Sequence, residues 1–108
     1  MTVYLTADVK VTDQAWLPAY ARQVHEIVHK HGGRYLARSG NVIALEGEAP
    51  DVSLVVLIAF PSAAAAKAFV ADPLYAPFAS SRRSGSTGHL RLVDDTDIAG
   101  TIAYLPRG

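Results

Sequence analysis

The apolar positions along the chain change period several times, and each change marks an element. Val3–Val9 reads as a strand, apolar in part on both sides because Tyr4 opposes Val3 and Leu5. Leu17, Tyr20, Ala21, Val24, Ile27, Val28 and His31 then recur at helical spacing, which predicts a helix from Trp16 to His31. Asp13 is a suitable N-cap for it, and Gly32-Gly33 a suitable terminator. Tyr35–Ser39 and Asn41–Glu46 read as extended, either one bulged strand or a tight hairpin about Ser39-Gly40, and a turn follows over Gly47–Asp51. Leu54–Phe60, "LVVLIAF", is apolar at every position and predicts a buried strand. Ser62 caps an alanine-rich helix over Ala63–Ala71. Asp72-Pro73 breaks it, and a further helical stretch runs from Leu74 to about Arg82. Ser84–Gly88 reads as a loop and His89–Val93 as a last strand.

The order strand, helix, strand, strand, helix, strand predicts an α+β domain over residues 1–95. This is a ferredoxin-like βαββαβ arrangement, an antiparallel sheet with its helices on one face. Residues 96–108 remain as a C-terminal extension, apolar at Ile98, Ile102, Tyr104 and Leu105, expected to dock on its own or a partner subunit. Two helices cover one sheet face only. A wet second face would show polar alternation, and Leu54–Phe60 shows none. A second copy of the chain packed sheet to sheet is the expected cover; the alternative is that the extension folds across that face.

Composition narrows the function. Half of the 108 residues are hydrophobic and 19% are charged, the balance of a folded domain. Ten basic and ten acidic residues leave no net charge, which argues against a nucleic-acid surface. Cysteine is absent, so disulfides and thiolate chemistry are excluded. No leader pattern opens the sequence and its longest apolar run is too short to cross a bilayer, so the expected location is cytoplasmic, with no membrane partner.

"HEIVH", His25–His29, has the spacing of a zinc-protease helix, and the longer metzincin order continues as far as Gly32. The third histidine of that order is replaced by Tyr35. His25 and His29 fall on the flank of the apolar stripe and Glu26 on its far side, so no metal site is expected.

The runs "HGGRYLARSGNVIALEGEAP", "LVVLIAFPSAAAAKAF", "DPLYAPFASSRRS" and "HLRLVDD" resemble the family known as domain of unknown function 1330, over roughly Val3 to Asp95. The resemblance implies a ferredoxin-like fold in the dimeric α+β barrel superfamily. That superfamily includes cofactor-free monooxygenases, muconolactone isomerase-like proteins, cyclases and haem-degrading enzymes, typically with a small-molecule pocket between sheet and helices. The chain departs from the family where Phe69-Val70 replaces a Trp-Tyr pair, and in its extra residues after Asp95.

The candidate chemistry lies in residues able to reach such a pocket. His31 on the apolar helix face is either a proton carrier or a core-edge histidine bonded to backbone. Arg34 and Arg38, an even number apart, are expected on one side of their strand; Arg38 either holds an oxyanion or blunts a sheet edge. Arg82 is placed at the end of a helical face carrying Tyr75 and Phe78. His89 opens the last strand beside "RRSGSTG", a mobile lid or a plain turn. The expected set is therefore His31 and His89 for the proton, Arg38 and Arg82 for an oxyanion, and Trp16, Tyr20, Phe60, Phe69, Tyr75 and Phe78 as walls. No catalytic triad, phosphate loop or dinucleotide fingerprint is present. The expected function is a homodimeric enzyme without cofactor acting on a hydrophobic metabolite by isomerisation, cyclisation or oxygenation, with a setting in specialised metabolism by analogy with the superfamily. The alternative is a non-catalytic, ligand-binding or stress-associated dimer.

Overall fold

The computed structural model describes residues 1–108. Its elements are β1 (Val3–Val11), α1 (Leu17–Lys30), β2 (Arg34–Ser39), β3 (Leu54–Phe60), α2 (Ala63–Val70), α3 (Ala76–Ser84) and β4 (Ser86–Asp94). The sheet order is β2-β3-β1-β4 and every pairing is antiparallel, so the predicted ferredoxin-like α+β fold is the one formed. The second helix of that plan is split in two. No helix is long and apolar enough to cross a membrane.

Register explains why β1 and β3 lie at the centre. Val3, Leu5, Ala7 and Val9 sit opposite Phe60, Ile58, Val56 and Leu54, one apolar row against another on the helix-facing side. Val24, Ile27 and Val28 from α1, Ala66 and Phe69 from α2, and Tyr75 and Ala79 pack onto those rows. Phe69 stacks on both Phe60 and Tyr75, with ring centroids 5.7 and 4.5 Å apart. Each such aromatic pair contributes about 1 kcal/mol beyond the area it buries.

The opposite face is open. It presents Tyr4, Thr6 and Asp8 of β1, Val55, Leu57 and Ala59 of β3, and Val93, Arg91 and His89 of β4. Val93 is 55% exposed, and an Asp8–Arg91 ion pair of 3.4 Å borders the patch. The extension forms a small turn closed by the Ile102–Leu105 bridge. Its apolar side chains Ile98, Tyr104 and Leu105 are exposed.

Several boundaries differ from expectation for local reasons. Asp13 does not cap α1. Its Oδ1 accepts from Ala15 N two residues on, and Trp16 holds the cap position with Pro18 in the first turn. Gly32 ends α1 as predicted, with φ +78°, a conformation that favours glycine. Residues 41–46 are not a strand, so β2 ends at Ser39 and a long loop follows. The expected Ser84–Gly88 loop is also absent, because α3 runs to Ser84 and β4 starts at Ser86. The residue between them is clamped. Gly85 O accepts from Thr12 N, Asp13 N and Trp16 Nε1, and a Cβ on Gly85 would lie 2.3 Å from the Trp16 ring. The segment is a tight corner under Trp16, and no mobile lid exists there.

Candidate functional site

Between α1, α3 and the sheet lies a cavity of about 150 Å³, lined by 16 residues of which 14 are hydrophobic. The sheet supplies its floor through Leu5, Ala7, Val9, Leu54, Val56, Ile58 and Leu90. These are the inward positions of β1, β3 and β4, so strand alternation alone places them. Trp16, Leu17, Tyr20 and Ala21 come from the start of α1, and Phe69, Tyr75 and Arg82 from the broken second helix. Tyr35 and Arg38 complete the wall from β2.

Arg38 reaches this cavity because of a defect in β2. Tyr35 pairs with Ile58, but Ala37 pairs with Leu57, so Leu36 is an extra residue. After this bulge Arg38 stands opposite Val56, on the face of Tyr35, while Arg34 opposite Ala59 stays on the open face. The expectation that Arg34 and Arg38 share a side is therefore wrong: an even spacing keeps two residues together only in an unbulged strand. The Arg38 guanidinium lies over the Tyr35 ring, 4.0 Å from its centroid.

The polar groups of the cavity are few. Tyr20 and Tyr75 hydroxyls are 2.8 Å apart and partner each other. Burial pushes the Tyr20 phenol far above its ordinary range, and the neighbouring Tyr75 adds to this, against the opposing pull of Arg82. Burial raises Tyr35 too, with Arg38 opposing. Both phenols are therefore neutral donors or acceptors rather than bases at physiological pH. No Asp, Glu, His or Lys lines the cavity. Neither Arg38 nor Arg82 has a carboxylate partner, and Arg82 Nε is buried without any hydrogen-bond partner.

Of the expected site residues, Arg38, Arg82, Trp16, Tyr20, Phe69 and Tyr75 meet at this cavity. Phe60 and Phe78 do not: Phe60 lies beneath Phe69 in the core, and Phe78 is half-buried against the core edge. The two histidines are elsewhere. His31 Nε2 is 2.7 Å from Asp72 Oδ2, in a cluster with Lys30 Nζ at 3.1 Å from the same oxygen. Asp72 is buried, and its Oδ1 accepts from Leu74 N. The His31 bond, that backbone N–H and Lys30 together hold its carboxyl low, at about 2. This cluster ties the end of α1 to the break between α2 and α3. His89 stands opposite Asp8 on the open sheet face, because β4 carries Leu90 inward. Neither histidine can move a proton in the cavity.

Two residues escaped the sequence reading. Tyr35 drew attention only as a missing zinc ligand, and Asp72 only as a helix breaker. Asp72 and His31 are 41 positions apart, and nothing local in the sequence joins them. As for the zinc-protease spacing, His25 and His29 form an edge-to-face ring pair at 5.9 Å, and His25 Nδ1 lies 3.3 Å from Ala21 O. No third ligating residue accompanies them.

The fold recurs in solved structures. A protein of unknown function from Rhodopseudomonas palustris, RPA0582, superposes with a TM-score of 0.75 at 17% identity, over 89% of this chain and 83% of that one. SnoaB, a cofactor-independent oxygenase from Streptomyces nogalater, superposes with a TM-score of 0.63 at 18% identity, over 89% of this chain and 94% of that one. At such identities the likeness is one of fold. No curated protein matches the sequence. The family profile described as "Domain of unknown function (DUF1330)" matches residues 2–96, and the chain belongs to that family.

Proposed function

We propose that the protein is a homodimeric enzyme that acts, without a cofactor, on a small apolar molecule held in the cavity between sheet and helices. The observation that carries this reading is the lining itself: apolar walls, neutral phenols and guanidinium groups, with no side chain that titrates near neutrality. Such a site cannot take a proton at pH 7. It can hold a substrate acidic enough to form its own enolate, with Arg38 facing the developing oxygen charge. Oxygenation at an activated methylene suits it. The enolate carbon and O2 form a C–O bond by successive electron transfers, and protonation gives a hydroperoxide. Loss of water from the hydroperoxide leaves a carbonyl, so that CH2 and O2 become C=O and H2O. The fold shared with a cofactor-independent oxygenase supports this choice among the expected reactions.

The surface supports the dimer. A monomer of 11.5 kDa is expected to expose about 5,800 Å², whereas this protomer exposes 7229 Å². The excess, roughly 1,400 Å², exceeds the ~800 Å² each partner gives to a standard interface. The radius of gyration, 15.7 Å, is also larger than the ~13 Å of a compact chain of this length. The open sheet face has an apolar centre at Tyr4, Val55, Leu57 and Val93 and a charged rim at Arg34, Asp8 and Arg91, the usual anatomy of an interface. Ile43 and Leu45 on the β2–β3 loop add further apolar surface, 82% and 93% exposed.

Oxygen uptake by the purified protein with phenylacetone, a one-ring compound whose methylene is activated by a phenyl group and a carbonyl, tests the reading. Uptake above the buffer rate that falls in Arg38→Gln is expected; no uptake, with phenylacetone bound, leaves a non-catalytic binding dimer.

A further inference from the structure

The least satisfied polar group in the protein is the Arg82 side chain. Its Nε is sealed from solvent and has no hydrogen-bond partner, and no carboxylate pairs with the guanidinium. It lies in the wall of the apolar cavity, with its Nε cut off from water and no acidic side chain in the lining. Nothing in the rest of the chain answers it. The same lining holds the Tyr20–Tyr75 hydroxyl pair, whose mutual bond of 2.8 Å leaves lone pairs and one proton to share, and Arg38. Solvent does not answer it either, because the buried atom is Nε rather than the tip of the side chain. The two terminal nitrogens of the guanidinium are neither sealed nor paired, and as an end-on fork of donors they match the two oxygens of a carboxylate.

We propose that the cavity is built for a single-ring or similarly small apolar carboxylate, with Arg82 as the anchor of its carboxylate. The assignment rests on the small-molecule reading above and adds the ligand's charge and size. Size follows from volume: a cavity of about 150 Å³ is the scale that encloses one benzene ring. The ring lies on Leu5, Ala7, Val56 and Ile58, and the carboxylate reaches Arg82. The Tyr20–Tyr75 pair then offers a further hydrogen bond. Arg38, more exposed and stacked on Tyr35, is left free to face charge that develops elsewhere on the ligand.

The test is calorimetric titration of the full chain with benzoate, benzyl alcohol, 4-nitrophenolate and 2-naphthoate. Benzoate should bind at least about tenfold tighter than benzyl alcohol, a neutral ligand with the same ring, the effect of one charge-assisted hydrogen bond. The preference should vanish in Arg82→Gln and shrink in Arg82→Lys, which keeps the charge but loses the fork. Thermal stability of Arg82→Gln should equal or exceed that of the parent, since it loses a buried N–H that has no partner. Equal affinity for benzoate and benzyl alcohol overturns the anchor while leaving the apolar cavity intact. Tighter binding of 4-nitrophenolate than of benzoate overturns the carboxylate assignment, and equal binding of 2-naphthoate overturns the one-ring limit. No binding by any of the four sinks the cavity reading along with it. If Arg82→Gln does not fold, the benzoate and alcohol affinities of the parent still decide.

Discussion

Removing one oxygen atom from the cavity wall should separate packing from hydrogen bonding. Tyr75 is 1% exposed, and its hydroxyl has Tyr20 Oη, at 2.8 Å, as its partner. Tyr75→Phe keeps the ring stacked on Phe69 and deletes the bond. The direct loss is about 1 kcal/mol, and the stranded Tyr20 hydroxyl, largely cut off from water, adds roughly as much again. Tyr20→Phe should cost a similar amount for the mirror-image reason. The double variant removes both partners at once and leaves two edge-to-face phenyl rings, so it should be nearly as stable as the parent. With about 2 kcal/mol lost in each single variant and almost nothing in the double, the coupling between the two changes is expected at about 4 kcal/mol, in the sense that the second mutation repairs the first. Each single change should lower Tm by about 4–8 °C per kcal/mol lost. Urea unfolding followed by circular dichroism, at one fixed protein concentration because subunit association shifts the midpoint, reads all four proteins. If the double variant loses the sum of the two singles, the hydroxyls are solvated independently and the paired geometry is refuted.

Three further outcomes follow from particular contacts. Asp72 has its folded carboxyl held at about 2 against an ordinary 3.8, so its contribution is fully present above pH 4 and is lost as pH falls toward 2; Asp72→Asn should flatten acid unfolding in that window, and an unchanged profile contradicts the cluster. Gly85→Ala puts a Cβ 2.3 Å from the Trp16 ring and 3.0 Å from Asp13 O, and should cost about 1–3 kcal/mol in thermal unfolding, whereas a neutral result would mean that the corner yields. Truncation after Asp95 removes the exposed Ile98, Tyr104 and Leu105, and should weaken association in sedimentation equilibrium; an unaltered dimer removes the extension from the interface.

Much of the fold could be read from the chain because its signals are local and periodic. The unbroken apolar run of Leu54–Phe60 marks a central strand, Gly32-Gly33 a helix end, and Asp72-Pro73 a helix break. The cavity residues that follow strand or helix period, such as Tyr20 and Tyr75, were equally legible. What failed depended on geometry between distant segments. His31 reads from sequence as either a proton carrier or a core-edge histidine bonded to backbone, and its partner is instead an aspartate 41 residues away. The two glycines of "RRSGSTG" suggested mobility, but Gly85 is small because Trp16 needs the space. Asp13 has the chemistry of a cap, but its oxygen is spent two residues on. The side on which Arg38 stands could not be seen, because a bulge leaves no compositional trace in "RYLARS".

That surplus residue at Leu36 has a bearing on how the scaffold could diversify. Edge strand β2 with regular pairing would turn Arg38 outward and aim Ala37 at the cavity instead, changing its charge without touching a helix or the central strands. Ligand preference is thereby coupled to the phase of a short peripheral segment, so a single-codon insertion beyond the irregularity can exchange a cation for a methyl group inside an otherwise identical shell.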